Sequence, residues 1–354
     1  MQIKSLRLVN YRNIKNIKIL PFDKMNVICG ENAQGKTNIL EAIWLLTGAK
    51  SFRGNADSSF INFNEKRAVT EAEFESKGVL NSIKMEFNEK RTAFYNEKPL
   101  SNPSKLASCF NAIVFSPADL SIVKDGPDKR RRFLDIGIGQ LYPQYIEILK
   151  NYVRAVKQRN RIIKELKYDS TVEVLLDSYE NEIAENGIKI IKFRKNYIEK
   201  ISAFMPEIYK NLSGGKENIE IIYLANVSES MIKEMLKAGR KKDSLSGVTG
   251  EGPHRDDIVF KINGTDARSF GSQGQKRSIA LALKFAGAEV IKEKFGEYPV
   301  CLLDDVMSEL DVKRQNYILN HIKEWQSFIT CCDPASVERL KEGKIFEIKE
   351  GEVI

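Results

Sequence analysis

Three observations predict an α/β fold of mixed sheets around a central phosphate-loop helix, with a second, mainly helical lobe. The octet GENAQGKT at 30–37 lies between an apolar run and a segment of helical spacing. The run PVCLLDD at 299–305 reads as a buried strand ending in two acids. Residues 141–212 are rich in Lys, Glu, Ile and Tyr at helical spacing with few turn residues, which marks a helical lobe.

The apolar run MNVIC at 25–29 has the length of a buried strand, and 38–46 then repeats apolar residues as a helix does. Gly30 and Gly35 let the backbone turn so that successive amides point inward, with Glu31, Asn32, Ala33 and Gln34 forming the arc between them. Such an arc, at the positive end of a helix, suits a phosphate. Lys36 can reach the outer phosphates as a point charge, and the Thr37 hydroxyl can complete the shell of a Mg2+ ion. Nucleotide binding is the expectation.

At 354 residues, with 42% hydrophobic and 29% charged residues, the chain is expected to be soluble and divided into two lobes. No apolar run is long enough for a membrane span, and the N-terminus alternates like a strand without the apolar core of a signal peptide, so a cytoplasmic protein is expected. Five cysteines without a C-x-x-C pair argue against a disulfide framework and a zinc site, leaving mostly reduced, buried thiols. The net charge of +8 permits a polyanionic partner.

Along the chain, 3–27 reads as a hairpin that leads into the loop, with Ile3, Leu6, Leu8, Ile14, Ile17 and Ile19 as its apolar positions. The polar connection 48–61 carries Arg53, either solvated or a phosphate or DNA contact. Residues 68–95 alternate as an antiparallel sheet, and NAIVF at 111–115 is a buried strand. Gly126 and Pro127 make a turn from which Asp128 starts a helix. Arg130, Arg131 and Arg132 open that helix against its dipole, so an anion or a carboxylate partner is expected.

Helices are expected at 142–166 and 172–212, the second burying Leu175, Tyr179, Ile183, Ile190, Tyr197, Ile201 and Ile208. Lys157, Arg159, Arg161, Lys189, Lys192, Arg194 and Lys195 are their basic positions, either a solvated surface or a DNA contact. A strand at 219–224, a helix at 229–238 and a polar loop RKKDS follow. The run GPHRDD then crowds His254, Arg255, Asp256 and Asp257 before a strand at 258–262, which suggests a site, with His254 alone read as a hydrogen-bonded structural residue.

Two further motifs carry chemistry. In SFGSQGQKR, Ser272, Gln273, Gly274 and Gln275 open an apolar helix and form a second anion-binding end. Asp304 and Asp305 end the strand at 299–305; placed beside the loop strand in a parallel sheet, Asp304 would reach the Mg2+ and Asp305 an attacking water.

GENAQGKTN, FSPADLSIVKDGPDKRRRFLD, GPHRDD, FGSQGQKR and LLDDVMSELD, in this order, resemble the ATP-binding cassette class, its SMC-like heads and, within them, the RecF family. The resemblance implies an ATPase head made of 1–125 and 250–354, a helical lobe at 126–249, and a signature loop at 269–277 near their junction. It implies an ATP-dependent homodimer in which the loop residues Gly30 to Thr37 of one copy face Ser272 to Gln275 of the other across the nucleotide. Lys36 and Thr37 then hold phosphates and Mg2+, Asp304 matches the acid that ligands Mg2+, Asp305 matches the acid that polarises water, and 308–311 resembles a loop that signals between the two sites.

Candidate DNA contacts are Arg53, Arg130, Arg131, Lys157, Arg159, Lys192 and Arg194. Ser116 stands where many relatives carry glutamine, and Cys332 where many carry histidine. The family implies action at DNA gaps and junctions with RecR and RecO in loading RecA. Competing readings are the ATPase subunit of a transporter, another SMC-type chromosome protein, and a soluble kinase.

Overall fold

A computed structural model describes residues 1–165, 171, 173–332 and 343–354. The first segment contains β1 (Gln2–Tyr11), β2 (Ile14–Ile19), β3 (Met25–Cys29), α1 (Lys36–Leu45), β4 (Ala68–Ser76), β5 (Val79–Phe87), β6 (Thr92–Tyr95), β7 (Lys98–Leu100) and β8 (Ala112–Phe115). The second contains α2 (Ser121–Lys124), α3 (Pro127–Leu141), α4 (Pro143–Glu165), α5 (Glu173–Ser213), β9 (Ile219–Leu224), α6 (Ile232–Ala238), α7 (Arg240–Ser246), β10 (Asp257–Ile262), β11 (Thr265–Asp266) and α8 (Ala267–Phe270). The chain closes with α9 (Gln273–Phe295), β12 (Val300–Leu303), α10 (Val312–His321), β13 (Ser327–Cys331), β14 (Lys344–Lys349) and β15 (Glu352–Val353).

Contacts divide the chain into two units, 1–119 with 281–354, and 120–280. In the first unit, one antiparallel sheet has the order β2-β1-β4-β5-β6-β7 and a second has the order β15-β14-β3-β13-β12-β8, parallel from β14 to β8. The expected hairpin and antiparallel sheet are both present. The three-residue step from Ile3 to Leu6 is absorbed by a register shift between Ile3 and Ser5, which keeps both side chains inside.

Helix α1 is apolar on nearly every side because it lies within the core. It touches β8 and β13 of the parallel sheet, and Thr70 of β4 donates to its Ala42 carbonyl at 3.4 Å. Its one buried acid, Glu41, is held by Arg12 at 2.6 Å and by the Ser51 hydroxyl at 2.5 Å. One expectation is corrected: β12 does not adjoin β3, because β13 lies between them.

In the second unit α4 packs along α5, and β11, β10 and β9 form a three-stranded antiparallel sheet. The head had been expected to resume at residue 250, but 250–280 belongs to this unit because β10 pairs with β9 from Asp257 opposite Leu224 to Ile262 opposite Ile219. The unit boundary falls inside α9, after the signature loop. The expected helix ends at Leu166 and Val172 lie outside the described residues. The buried stripe of α5 begins at Leu176, one residue past the exposed Leu175, and the expected polar loop RKKDS is helical, as α7. Among the described residues no helix is long and apolar enough to cross a membrane.

Candidate nucleotide site

The phosphate loop leaves the end of β3, where Gly30 adopts φ 150 and a Cβ would stand 2.3 Å from the Ile348 carbonyl oxygen. Only glycine fits that approach. Gly35, at φ 114, delivers the chain into α1, whose first turn has no acidic residue to compete with an anion. Neighbours pin the arc from outside: the Gln34 carbonyl accepts from Asn13 at 3.1 Å and from the Gly351 amide at 3.2 Å. Lys36 folds back over it, donating to the Gly30 carbonyl at 2.6 Å and the Glu31 carbonyl at 2.9 Å. Among the described residues, no carboxylate pairs with this ammonium.

Asp304 follows the last residue of β12 and accepts from the Thr37 hydroxyl at 2.8 Å and from Thr330 at 3.2 Å. Thr330 belongs to β13, so the intervening strand contributes to the contact between loop and acid. Burial pushes the Asp304 carboxyl above its usual range, against the pull of those two hydroxyls, and Asp305 adds to the rise. A buried acid and a hydroxyl in contact form a hard-oxygen pair suited to Mg2+, whose remaining positions water and phosphate oxygens can fill. Asp305 sits in the left-handed region at φ 52, with its amide donating to Thr330 at 2.9 Å, and its side chain lines the adjoining cavity.

That cavity, of about 820 Å³, opens over the loop and is lined by Asn32, Ala33, Gly35, Lys36, Thr37 and Asp305 together with Arg53, Arg12, Asn13, Asn38 and Phe63. Its size suits a nucleotide. Arg53 is exposed, lines the cavity and donates to Asn38 at 3.2 Å. Sequence reasoning missed Arg12, Asn13 and Phe63. The first two lie at the turn of the β1–β2 hairpin, and Phe63 is a fully solvated aromatic (105% exposed) two residues past the polar connection 48–61.

The loop expected to form a second anion-binding end lies in the other unit. Ser272 and Gln275 cap α9 reciprocally, the Gln275 amide donating to the Ser272 hydroxyl at 3.2 Å and the Ser272 amide to Gln275 Oε1 at 2.7 Å. Ser272 and Gln273 are exposed, while Gly274 and Gln275 are half-buried. Gln275 is further anchored by Glu217 at 2.7 Å.

The basic candidates separate sharply. Arg130 pairs with Asp257 at 2.5 Å, Arg159 with Glu180 at 3.0 Å and Asp243 at 2.6 Å, and Arg194 with Asp135 at 2.9 Å and Asp256 at 3.1 Å. All three are buried, so the DNA contact expected of them is replaced by a structural role. Half-buried Arg131 donates to the Asp256 carbonyl at 2.8 Å, whereas Lys157 and Lys192 are exposed. The crowded GPHRDD run is likewise structural. Asp256 also accepts from Tyr223 and the Asn226 amide, and His254 bonds Tyr152 at 2.6 Å and the Thr249 carbonyl at 3.0 Å. Burial lowers the His254 pKa.

The family model described as the RecF/RecN/SMC N terminal domain matches residues 2–351. The DNA replication and repair protein RecF of Clostridium perfringens (strain 13 / Type A) is 40% identical, over all of this chain and 99% of the relative. The chain belongs to the RecF family. A solved structure of the recombination mediator protein RecF-ATPrS in the RecFOR pathway superposes with a TM-score of 0.92 at 36% identity, covering 99% of this chain and 97% of that one. The Smc head domain of Pyrococcus furiosus, at 19% identity and a TM-score of 0.56, shares the fold.

In this RecF-family head, both departures from the common pattern lie at strand ends of the parallel sheet. Ser116 follows β8, and its amide donates to Asp119 at 2.8 Å, an acid that Lys284 pairs at 2.8 Å. Cys332 follows β13, with its sulfur 3.5 Å from the Lys36 ammonium and 3.2 Å from Asn32 Oδ1. Cys332 therefore stands beside the loop between β3 and α1.

Proposed function

We propose that this RecF-family protein is a cytoplasmic, ATP-dependent DNA-binding protein of replication and recombinational repair, working as a switch. The observation that carries the reading is the contact between Thr37 and Asp304, 2.8 Å long, beside Lys36 in an open cavity. Lys36 and the loop amides hold phosphates, and Thr37 with Asp304 holds Mg2+, which when bound neutralises phosphate charge. Asp305 orients the attacking water. Its carboxylate is one methylene shorter than a glutamate, so turnover is slow.

Ser272, Gln273, Gly274 and Gln275 of a second copy complete the enclosure. ATP then lowers the free energy of the closed homodimer relative to separate chains. Closure aligns basic helical faces, including Lys157 and Lys192, along DNA at gaps or junctions, where the protein acts with RecR and RecO in promoting RecA loading. Hydrolysis resets it. The test is binding to gapped, single-stranded and blunt duplex DNA with ATP, ADP or no nucleotide across a salt series. Salt-sensitive binding that needs ATP is the expected result, and equal binding in all nucleotide states would overturn the switch.

A further inference from the structure

Two thiols lie directly beneath the nucleotide loop. Cys29 ends β3 and Cys331 ends β13, and the two are in-register partners on parallel strands. Neighbouring strands lie about 4.8 Å apart, inside the roughly 4.4–6.8 Å Cα window that a disulfide spans. Both side chains leave the same face of the sheet, and the sulfurs are in contact at 2.7 Å. Both are reduced.

We propose that Cys29 and Cys331 are an oxidant-sensitive modification site, a dithiol that a small hydroperoxide converts to a disulfide and so weakens nucleotide binding. Cys331, 6% exposed against 1% for Cys29, is the thiol that meets the oxidant. Its sulfur attacks one peroxide oxygen, the O–O bond breaks, and the departing hydroxide leaves as water with the thiol proton, giving a sulfenic acid. The Cys29 sulfur displaces the sulfenic hydroxyl, which leaves as a second water with the Cys29 proton. In sum, two S–H bonds are lost, one S–S bond forms, and hydrogen peroxide is reduced by two electrons to two waters. Burial and the neighbouring Cys29 push the Cys331 thiol up, so this thiol rests protonated and the conversion is slow at neutral pH.

The coupling to nucleotide follows from what adjoins each sulfur. The residue after Cys29 is Gly30, whose carbonyl holds Lys36 at 2.6 Å, and the residue after Cys331 is Cys332, whose sulfur lies 3.5 Å from the same ammonium. A covalent tie fixes both strand ends and restricts the adjustment by which Lys36 leaves the loop carbonyls for a phosphate. This consequence rests on the ATP reading of the site.

The experiment compares the full-length protein after prolonged hydrogen peroxide treatment with the same protein after dithiothreitol. Peptide mass spectrometry under non-reducing conditions locates the bond, and titration with a fluorescent ATP analogue gives the affinity. The expected result is a Cys29–Cys331 linked peptide and an affinity at least about fivefold weaker, the low end of typical coupling between sites, restored by dithiothreitol. C29A and C331A, each of which removes one sulfur, should bind the analogue and ignore peroxide. If these variants do not fold, the reduced and reoxidised wild type still decides the matter. A pair that stays reduced while Cys332 is oxidised would overturn the site. A linked peptide with unchanged affinity would overturn the coupling. Absence of analogue binding in the reduced protein would instead overturn the ATP reading.

Discussion

Lys36 donates to two carbonyls of its own loop, and on the proposed ATP reading it exchanges those bonds for phosphate oxygens. A charge-assisted hydrogen bond contributes about 1.5–3 kcal/mol, so Lys36→Ala is expected to weaken ATP binding at least roughly tenfold by titration while the melting curve stays near wild type. Asp304 predicts a different signature. Burial holds its carboxyl above the ordinary range, so the folded chain favours the protonated acid more than the unfolded chain does. The charge therefore begins to destabilise the fold as pH rises through the unfolded carboxylate range, and the penalty is complete above the folded value. Asp304→Asn should raise Tm at pH 7 in metal-free buffer, and the gain should vanish below about pH 4, the unfolded carboxylate range. No gain at either pH would place the cost elsewhere. The loop between β3 and α1 and the two acids after β12 were legible as positions because each follows an apolar run of strand length. Arg12, Asn13 and Phe63 were not, since a turn and an exposed aromatic look alike whether or not a cavity opens beside them.

Helix α4 carries two basic residues of opposite meaning two positions apart. Arg159 is fully buried and bridges α5 and α7 through Glu180 and Asp243, whereas Lys157 faces solvent. Removing one member of a buried ion network leaves uncompensated charge, so Arg159→Ala is expected to cost about 3–5 kcal/mol in a denaturant titration. Lys157→Ala should stay within about 0.5 kcal/mol by the same measurement and lower DNA affinity with a shallower salt slope. An unchanged slope would remove Lys157 from the DNA surface. Arginine charge alone could not separate these cases in the sequence, because the partners that bury Arg130, Arg159 and Arg194 include Asp257, Asp243 and Asp256, each more than sixty positions away. Helix α7 escaped notice for a related reason: RKKDS reads as a polar loop until Asp243 is seen to be buried against Arg159 and the Gly250 amide at 3.0 Å.

Across the whole molecule, the expected pairing of copies rests on Ser272, which is exposed at the start of α9 and lies in the unit that lacks the phosphate loop. Ser272→Arg should leave ATP binding by the single chain intact and abolish the ATP-dependent dimer in sedimentation velocity; a normal dimer would remove this loop from the interface. The broad two-part architecture was legible from the change in periodicity near residue 141, but the return point was not, because β10 pairs backward with β9 and carries 250–280 with it. The order of strands in the parallel sheet has a further bearing on biosynthesis. β3 is hydrogen-bonded to β13 on one side and β14 on the other, and Cys29 and Cys331 are 302 positions apart. At about 5–20 residues per second, a ribosome needs roughly 15–60 s to supply those neighbours. A nascent chain halted before Ser327 therefore has a phosphate-loop strand with neither flanking strand to align it, and premature termination should yield inert fragments unable to capture nucleotide.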